Sequence, residues 1–238
     1  MRIRSSFLVS TLLALAGCGS EGEGTVVVTA YGESFVEDGI PADAVADGWA
    51  VAFSRFEVGI RDVMISDTPI SVPAAIELAA PSSGDGHELG SALVPEGEHA
   101  APSFTIARLD IEGTAEKDGE TKAFAWRFDA PTHYSECDAT IVVTDGEVAT
   151  FQITVHADHL LYDSLVAEEP ALRFQALADA DADEDGEITE SELAVTDIGA
   201  YDPGNEAEID TLWEWLVAAS RTVGHVDGEG HCRATSGI

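Results

Sequence analysis

The chain has 238 residues, 45% of them apolar, with glycine and proline spread along it, a composition that supports one sizeable folded domain or two small ones. Acidic residues outnumber basic ones 45 to 11, giving a net charge of −34; the Lys/Arg clusters that a nucleic-acid backbone demands are missing, which excludes nucleic acid as a partner. A surface this negative stays soluble, repels anionic membranes and gathers cations, and adaptation to salt is the other cause that fits it.

At the N-terminus, Arg2 and Arg4 precede an apolar run over residues 7–16. That run is shorter than the roughly 20 residues a bilayer span needs, and it has the build of an export signal over residues 1–17. Leu15-Ala16-Gly17-Cys18 resembles the lipobox of bacterial lipoproteins. The resemblance implies lipidation of Cys18, a tether over residues 18–24, and a location outside the cytoplasm with membrane contact only through the anchor. Gly19, where an Asp would favour the inner membrane, points to the outer membrane of a Gram-negative bacterium. Lipidating Cys18 leaves Cys137 and Cys232 as a pair in an oxidising compartment. A disulfide between them is expected, with metal ligation as the alternative. It closes a loop of nearly a hundred residues, worth on the order of 4 kcal/mol in the chain-entropy model, and pins a tail over residues 224–238 to the middle of the chain.

Strand patterns fill residues 25–165. Residues 25–30 are rich in β-branched side chains, and residues 49–65 carry two apolar sets, Val51 and Phe53, then Phe56, Val58 and Ile60. The change of parity between Phe53 and Phe56 predicts a bulge or a crossing between sheets. Further strands are expected over 104–111 and 124–128, with Asp118-Gly119 as the turn between them. Strands over 141–143 and 151–155 flank a second Asp-Gly at 145–146. Short strands with turn residues and no helical pattern between them predict an antiparallel β-sandwich, making the chain mainly β with some α.

The period becomes helical over residues 166–223. Pro170 suits a first helical turn, with Leu172, Ala176 and Leu177 at helical spacing after it. Asn205 with Glu208 has the form of a capping box, opening a helix whose Ile209, Leu212, Trp213, Leu216 and Val217 form an apolar stripe.

Between these helical patterns residues 181–192 read DADEDGEITESE and resemble the calcium loop of the EF-hand family. Calcium takes six to eight oxygens at about 2.3–2.6 Å, so a short loop must turn its ligands inward. By the resemblance, Asp181, Asp183 and Asp185 hold the first, third and fifth ligand positions. Gly186 supplies the sharp bend, Glu187 ligates through its main-chain carbonyl, and Thr189 binds directly or through water. Glu192 chelates with both oxygens, while Ile188 packs the loop onto a neighbour. EF-hands generally pair. A degenerate second loop starting at Asp202 has Ala207 at the glycine place and Trp213 at the bidentate place, so it binds no calcium but offers Ile209 as a brace for Ile188.

The remaining candidate chemistry lies in the histidines. His156, Asp158 and His159 sit in VHADH, with His225 and His231 near the C-terminus. Along a strand His156 and Asp158 share a face about 7 Å apart, close enough to share a transition metal, zinc or copper; His159 faces the other way unless the strand has ended. A transition-metal protein using His156, Asp158, His159 and His225 is therefore the alternative to a structural-calcium protein, and it requires His156 to meet a C-terminal histidine within about 5 Å. Internally hydrogen-bonded or solvated histidines are the other possibility. A disulfide between Cys137 and Cys232 would also bring His133 and His231 near one another. No serine elbow, phosphate-cradling glycine loop or dinucleotide fingerprint appears, so no enzyme chemistry is assigned. Nothing in the sequence specifies a protein or glycan partner.

Overall fold

The computed structural model describes residues 22–205 and 208–236. The export signal and lipobox lie outside them. The chain is mainly β, with two principal sheets and a few short helices.

The first sheet is built on β1 (Glu23–Tyr31), whose Val26, Val28 and Ala30 alternate inward and are fully buried. The short helix α1 (Glu33–Glu37) follows it and leads into β2 (Ala50–Ile65), the longest strand and the axis of the second sheet. Its ladder slips between Phe53 and Arg55, the bulge that the change of parity predicts: Val51 and then Phe56, Val58 and Ile60 thereby all reach the core. Two short strands, β3 (Thr68–Ile70) and β4 (Ile76–Glu77), pair back onto β2. The chain then returns to the first sheet as β5 (His87–Pro95), antiparallel to β1, followed by β6 (Gly97–Ala100).

The second sheet grows through β7 (Ser103–Lys117) and β8 (Glu120–Phe128). Asp118 and Gly119 both take positive φ, 51° and 88°, in the two-residue turn between them, a conformation open to Asp-Gly and closed to most pairs. Next come β9 (Thr132–Ser135), alongside β7, and β10 (Thr140–Val143), which pairs β6. The second Asp-Gly is therefore a corner and not a hairpin: β11 (Val148–Val155) leaves it to join β1 instead of β10.

That pairing corrects the antiparallel expectation, since β1 and β11 run parallel from Thr25 with Val148 to Tyr31 with Thr154. Between the two, the chain lays down most of the second sheet, so β11 reaches the edge of β1 travelling in the same direction. The two-residue strand β12 (Glu187–Ile188) also lies parallel to its partner, β8. The sheets are mixed.

The helical region departs from expectation in two places. Pro170 does not open a helix; α2 (Gln175–Ala178) begins five residues later, where the Asp47 carboxylate accepts the Phe174 and Gln175 amides, both at 2.9 Å. A second short helix, α3 (Glu190–Leu193), follows the acidic loop. Asn205 does not cap the last helix, α4 (Leu212–Ala219). Thr211 does, in a capping box with Glu214, while Asp202 and Gly204 (φ 66°) make a turn upstream. The buried stripe accordingly runs through Leu212, Trp215, Leu216 and Ala219, with Trp213 and Val217 at its margin and Ile209 outside the helix.

Both sheets and these helices share one apolar core, in which Val28, Phe151, Phe104, Phe174, Ile188, Leu212 and Trp215 are buried together. The chain ends by adding β13 (Gly224–Val226) beside β11 and β14 (Arg233–Ser236) beside β9. Gly224 is obligatory here: a Cβ would stand 2.5 Å from the ring of the buried Tyr134. The expected disulfide joins Cys137 to Cys232 and fixes the turn between β13 and β14. None of the helices among the described residues is long and apolar enough to cross a membrane.

Candidate metal centres

Oxygen atoms of Asp181, Asp183 and Asp185 lie within 4.8 Å of one another. Asp181 is the buried member, and two donors hold its Oδ2, the Gly186 amide at 3.0 Å and the Lys122 ammonium at 2.7 Å. Its Oδ1 faces the Asp185 amide at 3.2 Å. Gly186 reaches this position because its φ is +88°, a region that a β-carbon penalises. The Asp185 carboxylate accepts the Glu187 amide at 2.8 Å and keeps the bend closed. At the far end Glu192 folds back over the loop, taking the Ala182 amide on Oε1 at 3.0 Å and the Thr189 amide and hydroxyl on Oε2 at 2.9 and 2.7 Å. Hydrogen bonds therefore place the first and last acidic residues of the loop together. The Lys122 ammonium beside it holds the Asp181 carboxyl below the usual range, and the Thr189 amide does the same for Glu192, so both stay ionised at neutral pH.

Ile188 is 1% exposed and sits in register with Phe124 on β8; its carbonyl accepts the Trp126 indole N–H at 2.9 Å. Its brace is the second sheet. The two-residue strand β12 thereby joins the loop to the second sheet through backbone pairing with β8. Lys122, Phe124 and Trp126 were invisible as loop partners in the sequence because about 60 residues separate them from it.

The second cluster forms at the end of β11. The strand stops at Val155 and a 3-10 turn follows over Ala157–Leu161, so His156, Asp158 and His159 no longer alternate as they would on a strand. Ligand atoms of the three lie within 4.8 Å of one another. β13 lays His225 directly beside them: its ring centroid is 4.4 Å from that of His156, 5.0 Å from that of His159 and 5.2 Å from that of His231. His156 thus meets a C-terminal histidine within the distance the alternative reading requires. His133 takes no such place; its Nδ1 pairs with the Thr105 hydroxyl at 3.2 Å.

Two carboxylates that the sequence did not single out as ligands complete the surroundings. Glu33 enters from the start of α1, its backbone at φ +57°, with Oε1 3.7 Å from Nε2 of His156. Glu229 projects from the turn after β13, and Glu33, His156 and Glu229 form another set within 4.8 Å. Only the Asp-Gly-Glu-Gly run beside His225 hinted at Glu229; nothing local marked Glu33. Burial, with His156 and His231 as like-charged neighbours, pushes His159 down to about 3, and burial followed by His156, His159 and His231 does the same to His225. Burial likewise raises the Glu33 carboxyl, opposed by His156. His159 and His225 are therefore neutral imidazoles at physiological pH.

Comparison with protein-family models, curated proteins and solved structures finds no match for this chain. Function must be argued from these two clusters.

Proposed function

We propose that this is a calcium-binding, lipid-anchored extracytoplasmic protein: a two-sheet β-sandwich whose EF-hand-like C-terminal segment is held in place by one structural calcium ion. The observation that carries the reading is the loop from Asp181 to Glu192. Three carboxylates converge, the glycine amide is turned inward, and the closing glutamate is folded back over the loop's start. Asp181, Asp183, Asp185, the Glu187 carbonyl, Thr189 and Glu192 would surround the ion with the oxygen-only shell that calcium takes. The Cys137–Cys232 disulfide supports a compartment outside the reducing cytosol.

A single loop braced by a sheet falls towards the weak end of the calcium range, with a dissociation constant on the order of 10⁻⁵ to 10⁻³ M. Where calcium is millimolar such a site is half filled or better, and it does not act as a cytosolic switch. At a hundredfold excess over the dissociation constant, binding adds about 2.7 kcal/mol to stability. The test is thermal unfolding with and without calcium in the wild type, Asp183→Ala and Glu192→Gln. Asp183 is exposed and accepts only the Asp185 amide, at 3.4 Å, so its loss should leave the fold intact, while glutamine preserves the helix cap and removes the second chelating oxygen. The wild type should gain stability with calcium and both variants should lose most of that gain; an equal response in all three would overturn the proposal.

A further inference from the structure

We propose that His156, Asp158, His159 and His225 form a second metal site, selective for a divalent transition ion of the zinc or copper(II) class, built where β11, the 3-10 turn after it and β13 meet. This goes beyond the calcium reading and does not depend on it.

Ligand atoms of His156, Asp158 and His159 already lie within 4.8 Å of one another, and the His225 ring stands beside them with its centroid 4.4 Å from that of His156, so a turn of that ring brings it into the set. Nε2 of His156 bonds the Gly228 carbonyl at 3.2 Å, which leaves its Nδ1 for an ion. Nδ1 of His156 stands 3.9 Å from Oδ1 of Asp158, too far for a hydrogen bond. Two donors that bind one tetrahedral ion at about 2.0–2.1 Å lie roughly 3.3 Å apart, so a small side-chain adjustment closes the pair on a common ion. His225 is the independent sign of a missing partner. It is 6% exposed, and its Nδ1 is enclosed with no hydrogen-bond partner. An orphaned buried ring nitrogen carries a desolvation penalty that a metal bond removes. His159 is oriented through Nδ1 by the Thr222 hydroxyl at 3.0 Å, which leaves its Nε2 available. Asp158 is steadied in turn by the Tyr162 hydroxyl at 3.2 Å. Such outer contacts are what aim ligands in metal sites.

Three imidazoles and one carboxylate make a nitrogen-rich set that suits zinc or copper, and calcium prefers the all-oxygen loop. The surroundings also show how an ion enters. Glu229 and His231 are exposed on the turn that the disulfide pins, and Glu33 lies against Nε2 of His156, so negative charge rims the site on its solvent side. This chain would therefore hold two ions of different chemistry, one structural and one reached from outside.

The experiment is titration of the full chain, purified without a histidine tag and held in millimolar calcium, with zinc and separately with copper(II), followed by desalting and metal analysis. One equivalent should survive desalting in the wild type and in Glu192→Gln. In His156→Gln and in His225→Gln retention should vanish, or affinity fall at least about tenfold, while calcium-dependent stabilisation persists. Because these variants alter a buried cluster, electron paramagnetic resonance of copper(II) on the wild type gives a second readout, and it should show coupling to several imidazole nitrogens. Substoichiometric metal, a copper signal without nitrogen coupling, or retention lost in His87→Gln and His99→Gln but kept in His225→Gln would overturn the site.

Discussion

Replacing Ile188 with alanine asks whether the acidic loop is held by the second sheet. The substitution removes three carbons from a side chain that is 1% exposed and lies against Phe124. At about 0.8 kcal/mol per buried methylene the transfer loss is roughly 2.4 kcal/mol. A cavity left at about 24 cal/mol per Å³ raises the total towards 4 kcal/mol. For a chain of this length each kcal/mol moves the melting temperature by about 2–4 °C, so the fall should be about 5–16 °C. Ile188 contacts the sheet rather than the ion, so thermal unfolding in a chelator should show the full loss. A calcium titration should then find a midpoint raised several-fold, because the ion must order a loop that the sheet no longer holds. Ile188→Val should cost about 0.5–1.5 kcal/mol. A melting temperature within about 2 °C of the wild type in the chelator, with an unchanged calcium midpoint, would refute the docking argument.

The double variant Cys137→Ser with Cys232→Ser should lose about 2–5 kcal/mol, since the bridge spans 95 residues of sequence; chemical denaturation measures this directly. It should also free the turn that carries Glu229 and His231, seen as faster amide exchange over residues 227–232. On the acid side, the hydrogen bond from Arg108, helped by Arg55, lowers the Glu57 carboxyl pKa in the folded state. That contribution is complete above the unfolded value near 4.5 and is lost as pH falls through the lower folded value. Glu57→Gln should therefore flatten the fall in melting temperature below about pH 4.5 and lower the plateau above it.

What the sequence could and could not reveal divides by range. The β2 bulge showed in the parity of Val51, Phe53 and Phe56, and the β7–β8 hairpin in Asp118-Gly119, because both are set by neighbouring residues. The sharp bend at Gly186 in the acidic loop was legible for the same reason. Parallel pairing of β1 with β11 left no local mark, since both strands are apolar whichever way they run. The final helix was misplaced because two capping boxes compete: Asn205 with Glu208 matches the pattern, but Thr211 with Glu214 sits directly before the apolar stripe and wins. The histidine cluster was named from the sequence as an alternative, but the pairing that brings its members together was not visible there. Their convergence depends on β13 joining β11 and on the strand ending at Val155, and neither is written in VHADH alone. Glu33 arrives from more than a hundred residues away.

The most direct test of the calcium reading is a crystal structure grown in millimolar calcium. One ion should appear in the loop at about 2.3–2.6 Å from oxygens of Asp181, Asp183, Asp185, the Glu187 carbonyl and both oxygens of Glu192. A loop that remains free of calcium under those conditions, with Lys122 alone balancing Asp181, would contradict it.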